Sequence, residues 1–452
     1  MNDNDTKTPD FNRRDFLKSG SVATLMTMLG GVELFAQTNA APAETKPAGP
    51  KVKVAVIGLG TWGRELLNTL ARVPQAEVAA ICDTYPASLK RCASAAPGAT
   101  QTDDYKTILE NKDIKAVIIA TPTHKHKDIV LAAIKAGKHV YCEAPLANTV
   151  EDARAIAAAA KANRQLVFQA GLQLRSDKQR HFLVPFMRSG ALGQIVMTRA
   201  QYHKKQSWRL TSPKPEREKE LNWRLDKELS LGLIGEIGIH QVDSTAWFLT
   251  TQPTAVTGFG SVAFWKDGRD VPDTIQSVLE FPNGVNMVYH ATLANSFDSE
   301  YEMLYGSDAA VMMRENKAWM FKEVDSPLLG WEVYAKKETF QKETGIILRA
   351  GASKSVDVEQ SPEALLTSTP LYFALENFLR NTNDVLAAAE DYATNYGADD
   401  KDGLIEHLTK VPRRPAAGYQ EALNATVTAI KANEAILKHQ RIELKPEWYE
   451  LA

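Results

Sequence analysis

Six residues constrain this chain more than any others: Gly58-Leu59-Gly60-Thr61-Trp62-Gly63. They follow the apolar, β-branched run Val52–Ile57 without a gap. They precede Arg64–Val73, in which Leu66, Leu67, Leu70 and Val73 share one helical face. A G-x-G-x-x-G segment set between a strand and a helix is a dinucleotide cradle. The first glycine permits the tight turn, the second lets backbone approach a pyrophosphate, and the third lets helix and strand pack closely. The helix N-terminus then faces the phosphates. A second strand, Val78–Cys82, ends at Asp83, 20 residues after Gly63. A carboxylate there accepts hydrogen bonds from an adenosine ribose diol and repels a 2′-phosphate, which favours NAD over NADP.

The alternation continues. Ala116–Ala120, His139–Cys142 and Gln165–Gln169 read as buried strands, and Asp128–Ala136 and Val150–Ala162 as helices. Alternating strands and helices predict an α/β fold with a doubly wound parallel sheet. Ligands bind such sheets at the carboxyl ends of the strands, where Gly58, Asp83, Thr121 and Glu143 all fall.

Composition narrows the partners. Lys and Arg number 53 against 55 Asp and Glu, a net charge of −2, which gives no electrostatic reason to expect nucleic acid. Cys82, Cys92 and Cys142 form no disulfide framework and lack metal-ligand spacing, so no metal site is expected. No stretch reaches the length of apolar chain that spans a membrane. Residues 1–40 read as an address: Arg13-Arg14-Asp15-Phe16-Leu17-Lys18, then a weakly apolar run, then small residues. The arginine pair resembles a twin-arginine export signal, which predicts a periplasmic or otherwise exported protein that folds before export. Residues 41–50 then form a linker, 51–170 a dinucleotide-binding domain, and 171–452 a second domain with closing helices.

Further motifs add a resemblance. They include Ala120-Thr121-Pro122 with His126, Ala136-Gly137-Lys138-His139-Val140, Glu143-Ala144-Pro145-Leu146-Ala147, Asn222-Trp223-Arg224, and Glu236-Ile237-Gly238-Ile239-His240-Gln241-Val242-Asp243. In this order they resemble the glucose–fructose oxidoreductase/inositol dehydrogenase (Gfo/Idh/MocA) family over most of the chain from Val52. The resemblance implies an N-terminal Rossmann domain and a C-terminal α/β domain with an open mixed or antiparallel sheet facing the nicotinamide. It implies a sugar or polyol substrate and a homo-oligomer. It places Gly58 to Gly63, Asp83, Thr121, Pro122, His126, Glu143, Trp223 and Arg224 at the cofactor, and Gln173, just after the Gln165–Gln169 strand, is a further candidate there. It makes His240 and Glu236 the catalytic pair, with Glu236 four residues earlier on one helical face and able to orient the imidazole. Arg175, Tyr202 and Lys204 are the candidates for substrate contact.

Two departures from the family pattern matter. A glutamate, Glu236, stands where the family has aspartate, which keeps the charge. Ala144 stands where the family has lysine, which removes a cation and a proton carrier. Three readings follow: net oxidation of a sugar, polyol or glycoside; a redox-neutral glycoside cleavage through transient oxidation and elimination; or a non-catalytic binding protein. In the second domain, Val256–Phe264, Gln276–Phe281 and Val288–Ala291 read as strands, with Asn283-Gly284 as a hairpin turn. Ala309–Met313 and Ala318–Phe321 extend that sheet, 322–366 lacks periodicity and reads as a surface excursion, and Tyr372–Leu379 and Tyr419–Leu437 read as helices.

Overall fold

The computed structural model describes residues 50–451, apart from 213, 316, 330, 331, 333, 334, 336, 341, 342, 349–368 and 398. The export-signal reading falls on residues outside this set, as does nearly all of the linker.

The first sheet holds β1 (Val52–Ile57), β2 (Ala76–Cys82), β3 (Thr100–Thr102), β4 (Ala116–Ile119), β5 (His139–Cys142) and β6 (Phe168–Ala170). Its order is β3-β2-β1-β4-β5-β6 and every pairing is parallel. A parallel sheet is covered on both faces, so its strands need apolar side chains on both sides. All four residues of β4 and all four of β5 are buried. The crossovers are α1 (Thr61–Leu70), α2 (Pro86–Cys92), α3 (Tyr105–Glu110), α4 (His126–Lys135) and α5 (Val150–Ala162). Side-chain caps from Asp104 and Thr149 start α3 and α5.

The chain then passes through α6 (Lys178–Arg188) into a ten-stranded mixed sheet. Its first strand, β7 (Ile195–His203), leads to α7 (Pro215–Leu221), α8 (Gly232–Glu236) and α9 (Ile239–Leu249). Strands β8 (Ala255–Ser261), β9 (Thr274–Glu280), β10 (Asn286–Thr292), β11 (Glu300–Gly306), β12 (Ala309–Arg314) and β13 (Lys317–Lys322) follow. Among the described residues of this sheet, only β7 and β10 pair in parallel. The Asn283-Gly284 turn is present, both residues taking positive φ (66° and 79°).

Residues 322–366 need correcting. Within them β14 (Lys337–Phe340) and β15 (Glu343–Leu348) form a hairpin that adds to β13. The polar sequence Lys337-Glu338-Thr339 hides this edge pair, and pairing with β13 supplies the backbone partners that define it. Residues 349–366 of that segment lie outside the described residues.

Three helices close the chain: α10 (Pro370–Tyr396), α11 (Lys401–Thr409) and α12 (Tyr419–Lys438), with β16 (Arg441–Glu443) pairing to β8. The helix read as Tyr372–Leu379 continues to Tyr396. These helices knit the two sheets. Leu375, Phe378 and Leu379 of α10 bury against one face of the first sheet. Leu423 and Val427 of α12 bury against the other face, while Ala432, Ala435 and Ile436 of the same helix bury against the second sheet. The second sheet therefore turns its helix-bearing face towards the first. This corrects the expectation that its open face would look at the cofactor.

Cys82, Cys92 and Cys142 are free and buried. Among the described residues no helix is long and apolar enough to cross a membrane, and no group of three or more His, Cys, Asp or Glu could hold a metal.

Candidate active site

The glycine loop has the shape of its proposed use. Gly58 takes φ +95°, and a Cβ there would lie 2.6 Å from the backbone carbonyl of Ala120. A Cβ on Gly63 would lie 2.0 Å from the Gly58 oxygen, so no larger residue fits between α1 and the loop. A Cβ on Gly60 would meet nothing within 4 Å, the room a pyrophosphate needs. Leu59 is buried behind the loop, while Thr61 and Trp62 begin α1. Gly63→Ala is expected to weaken NADH binding about 10-fold or more, because the loop must shift to admit the methyl. Calorimetric titration of the variant checks this.

Asp83 sits beside the loop. Its Oδ2 accepts the Leu59 N–H at 2.8 Å, and its Oδ1 accepts the Tyr85 N–H at 2.8 Å. These bonds fix the carboxylate over the carboxyl ends of β1 and β2.

Some buried polar atoms without partners follow the carboxyl ends of β4 and β5, and another lies on α9. Thr121 Oγ1, His124 Nδ1, Glu143 Oε1 and His240 Nδ1 are buried and make no hydrogen bond. Buried polar groups are ordinarily paired, so orphans mark a place where a ligand supplies the partner. Burial pushes the Glu143 carboxyl up to about 7. Together with the cradle, the unpartnered Thr121 and Glu143 atoms at the carboxyl edge fit the polar partners that a dinucleotide supplies.

His126 is buried in another sense. Its Nδ1 faces Pro145 O at 3.0 Å and its Nε2 faces Thr121 O at 2.9 Å. The neutral ring carries one N–H, so it donates to one of these carbonyls while lying between the loop after β4 and the loop after β5. Pro122 lies in the first of these loops, its carbonyl accepting the Lys125 N–H.

The helical face expected to join Glu236 and His240 is absent. The chain leaves helical geometry at Ile237 (φ −127°, ψ −56°), so the two residues belong to separate helices. Glu236 points towards the first domain. Thr123 Oγ1 donates to it at 3.4 Å, the Leu231 N–H at 3.2 Å, and Arg224 Nε lies 3.8 Å away. Its side chain is 4% exposed, and burial raises its pKa while Arg224 opposes the rise. Arg224 also stacks over Trp223 at 4.5 Å, and His124 meets the Trp223 ring edge-on at 5.9 Å. Glu236 therefore anchors the Thr123 loop instead of orienting His240.

His240 lines a cavity of about 300 Å³ with Gln173, Ile237, Gln241, Glu300 and Arg314. Burial alone lowers the His240 pKa to about 4, so the imidazole is neutral at pH 7. Ala144 is partly buried and packs against the first core.

The three candidates for substrate contact separate. Arg175 donates to both oxygens of buried Asp243, at 2.9 and 2.8 Å, and stacks on Trp247, which commits it to structure. Tyr202 lies on the helix-bearing face, where its hydroxyl accepts from Gln206 Nε2 at 3.3 Å. Lys204 follows the end of β7, its N–H donating to Thr292 O. Thr123 and His124 were missed in sequence, although they follow a strand whose carboxyl end marks the ligand edge. Arg217, considered below, carries no sequence signal at all.

Residues 52–171 match the family described as an oxidoreductase family with an NAD-binding Rossmann fold, and residues 185–311 match the GFO/IDH/MocA C-terminal domain. Levoglucosan dehydrogenase of Pseudarthrobacter phenanthrenivorans is 28% identical over 204 residues, 40% of this chain and 50% of that protein. Inositol 2-dehydrogenase of Salmonella typhimurium is 32% identical over 154 residues, 34% of this chain and 46% of that protein. The chain thus spans about half the length of these curated relatives. A solved levoglucosan dehydrogenase in complex with NADH and levoglucosan superposes with a TM-score of 0.64 at 19% identity, covering 87% of this chain and 99% of that one. The cradle, the two-sheet architecture and these matches agree: the chain belongs to the Gfo/Idh/MocA oxidoreductase family.

Proposed function

We propose that the protein is an NAD-dependent oxidoreductase acting on a sugar, polyol or glycoside. Thr121 Oγ1 and Glu143 Oε1, buried without partners after β4 and β5 on the carboxyl edge that also holds the glycine loop, carry this reading. Relatives named as sugar and inositol dehydrogenases support it. When bound, the nicotinamide exchanges a hydride with the reacting carbon. The chain's own part is to bind, orient and move a proton. Thr121 and Glu143 hold the cofactor's nicotinamide half, and Gln173 reaches the same space as His240. His240 takes the hydroxyl proton at a ring nitrogen. Ala144 offers no proton carrier, so this transfer falls on His240 alone. The export reading also stands as a proposal, supported by Arg13-Arg14-Asp15-Phe16-Leu17-Lys18.

The base must be neutral to work, and neutral imidazole is lost as pH falls through its pKa of about 4. The acid limb of kcat/KM is therefore expected near pH 4, not near the ordinary value of 6.5. A rate–pH profile checks it.

The departure from the family pattern at Ala144 motivates a second reading, redox-neutral cleavage of a glycoside through transient oxidation and elimination. One experiment separates the two. Protein supplied with NAD is incubated with a panel of sugars and chromogenic glycosides while NADH absorbance and aglycone release are followed together. A lasting NADH rise establishes the dehydrogenase. Aglycone release without lasting NADH establishes the redox-neutral reaction. If neither signal rises across the panel, both readings fail.

A further inference from the structure

The segment Pro215-Glu216-Arg217-Glu218-Lys219-Glu220-Leu221 forms α7, on the connection between β7 and α8. It belongs to the chain of the second domain, yet Arg217 reaches the end of β2 in the first. Its Nη2 lies 3.7 Å from Asp83 Oδ1, and its Nη1 donates to Thr84 Oγ1 at 3.4 Å. The guanidinium stacks over the Tyr85 ring at 4.7 Å and also pairs with Glu220. The Arg217 and Asp83 side chains are only 17% and 11% exposed. Arg217 Nε is buried and has no hydrogen-bond partner.

The position is built, not incidental. Asn222 clips the connection closed: its Oδ1 accepts the Leu210 N–H at 2.7 Å and its Nδ2 donates to Leu210 O at 2.8 Å. Arg209 pairs with Glu218 and donates to Asp267 O at 2.9 Å. Ser207 Oγ donates to Asp267 Oδ2 at 3.0 Å, and Arg269 grips the same carboxylate through two bonds of 2.8 and 2.7 Å. These bonds fasten α7 to the loop between β8 and β9.

An acid at the end of β2 receives the adenosine ribose of a dinucleotide. The residue standing over that acid therefore stands over the ribose. Arg217 brings one positive charge against the two carboxylates of Asp83 and Glu220, so the cluster stays anionic. That balance suits a free ribose diol and disfavours a 2′-phosphate.

We propose that Arg217 is a cofactor-binding residue supplied by the second domain, walling the adenosine-ribose subsite of the NAD site. The inference rests on the dinucleotide reading above. It also makes the adenosine half of the site a joint product of both domains, so a bound dinucleotide ties α7 to the first sheet.

The test uses the full chain, freed of nucleotide, with NADH and ADP-ribose as probes in calorimetric titrations. ADP-ribose carries the adenosine half and lacks the nicotinamide. Arg217→Ala is expected to raise Kd about 10-fold or more for both probes and in the same ratio. Arg217→Lys is expected to recover part of the loss, since lysine keeps the charge without the planar fork. The melting temperature of the nucleotide-free protein is expected to stay within about 2 °C, a range that a structural role would exceed. Affinities for both probes within about two-fold of the unmodified chain overturn the proposal. A loss for NADH with none for ADP-ribose overturns it too, because the defect would then lie at the other half. If the unmodified chain binds neither probe, the dinucleotide reading falls and this inference falls with it.

Discussion

Replacing His240 with alanine is expected to cut kcat about 10³-fold while the Kd for NADH stays within about two-fold. The imidazole lines the 300 Å³ cavity beside Gln173 and is neutral at pH 7. A positioned general base contributes about 10²- to 10⁴-fold, and Ala144 leaves no second carrier to share that contribution. Steady-state rates measured at saturating cofactor check the first part, and calorimetry checks the second. His240→Gln keeps a polar side chain of similar reach without a titrating nitrogen, so it is expected to fail equally. Recovery of most of the rate in His240→Gln would show that the side chain orients substrate rather than moving a proton.

Replacing Glu302 with alanine is expected to destabilise the fold by about 3–5 kcal/mol. Arg180 on α6 donates to Glu302 on β11 through two bonds of 2.5 and 3.0 Å. Ser244 on α9 adds a third donor at 3.1 Å. Both charged side chains are under 10% exposed on the wall of the His240 cavity, so removing the carboxylate takes its directly bonded partner from a largely buried guanidinium. Met313 and Phe248 pack around that guanidinium and cannot replace the lost charge. The double variant Arg180→Met with Glu302→Leu is expected to recover most of the loss, because apolar residues of similar volume remove both desolvation penalties together. Urea titration of the single and double variants measures this directly, read at the first unfolding transition because two domains need not unfold as one. A single variant as stable as the parent chain would show that the pair lies in wetter surroundings than the geometry indicates.

Much of the first domain was legible in the chain. Val52–Ile57, the glycine loop and Leu66, Leu67 and Leu70 are neighbours in sequence and in space. Local spacing therefore determined strand, turn and helix, and the acid after β2 fell where the topology places it. The order of motifs from Thr121 to Asp243 was enough to point to the family and to a sugar-directed oxidoreductase. The loss of a lysine at Ala144 was equally visible, since no structure is needed to see that a methyl group carries no proton.

The site's wiring was not legible. The spacing Glu236-x-x-x-His240 fits one helical turn, but the chain breaks at Ile237, and Glu236 turns to Thr123, 113 residues away in sequence. Arg175 read as a candidate to line a cleft, but two of its donors are taken by Asp243. The hairpin β14–β15 is polar in sequence and exists through its pairing to β13. Arg217 sits in the charged stretch Glu216–Glu220, and only the folded chain brings it to Asp83. The sequence by itself determined the elements and the chemistry on offer, because periodicity, turn residues and glycine spacing act over a few residues. Tertiary structure alone decided which carboxylate meets which cation and which polar atoms are left without partners. Those outcomes depend on burial and on contacts between segments far apart in the chain, and no local pattern encodes them.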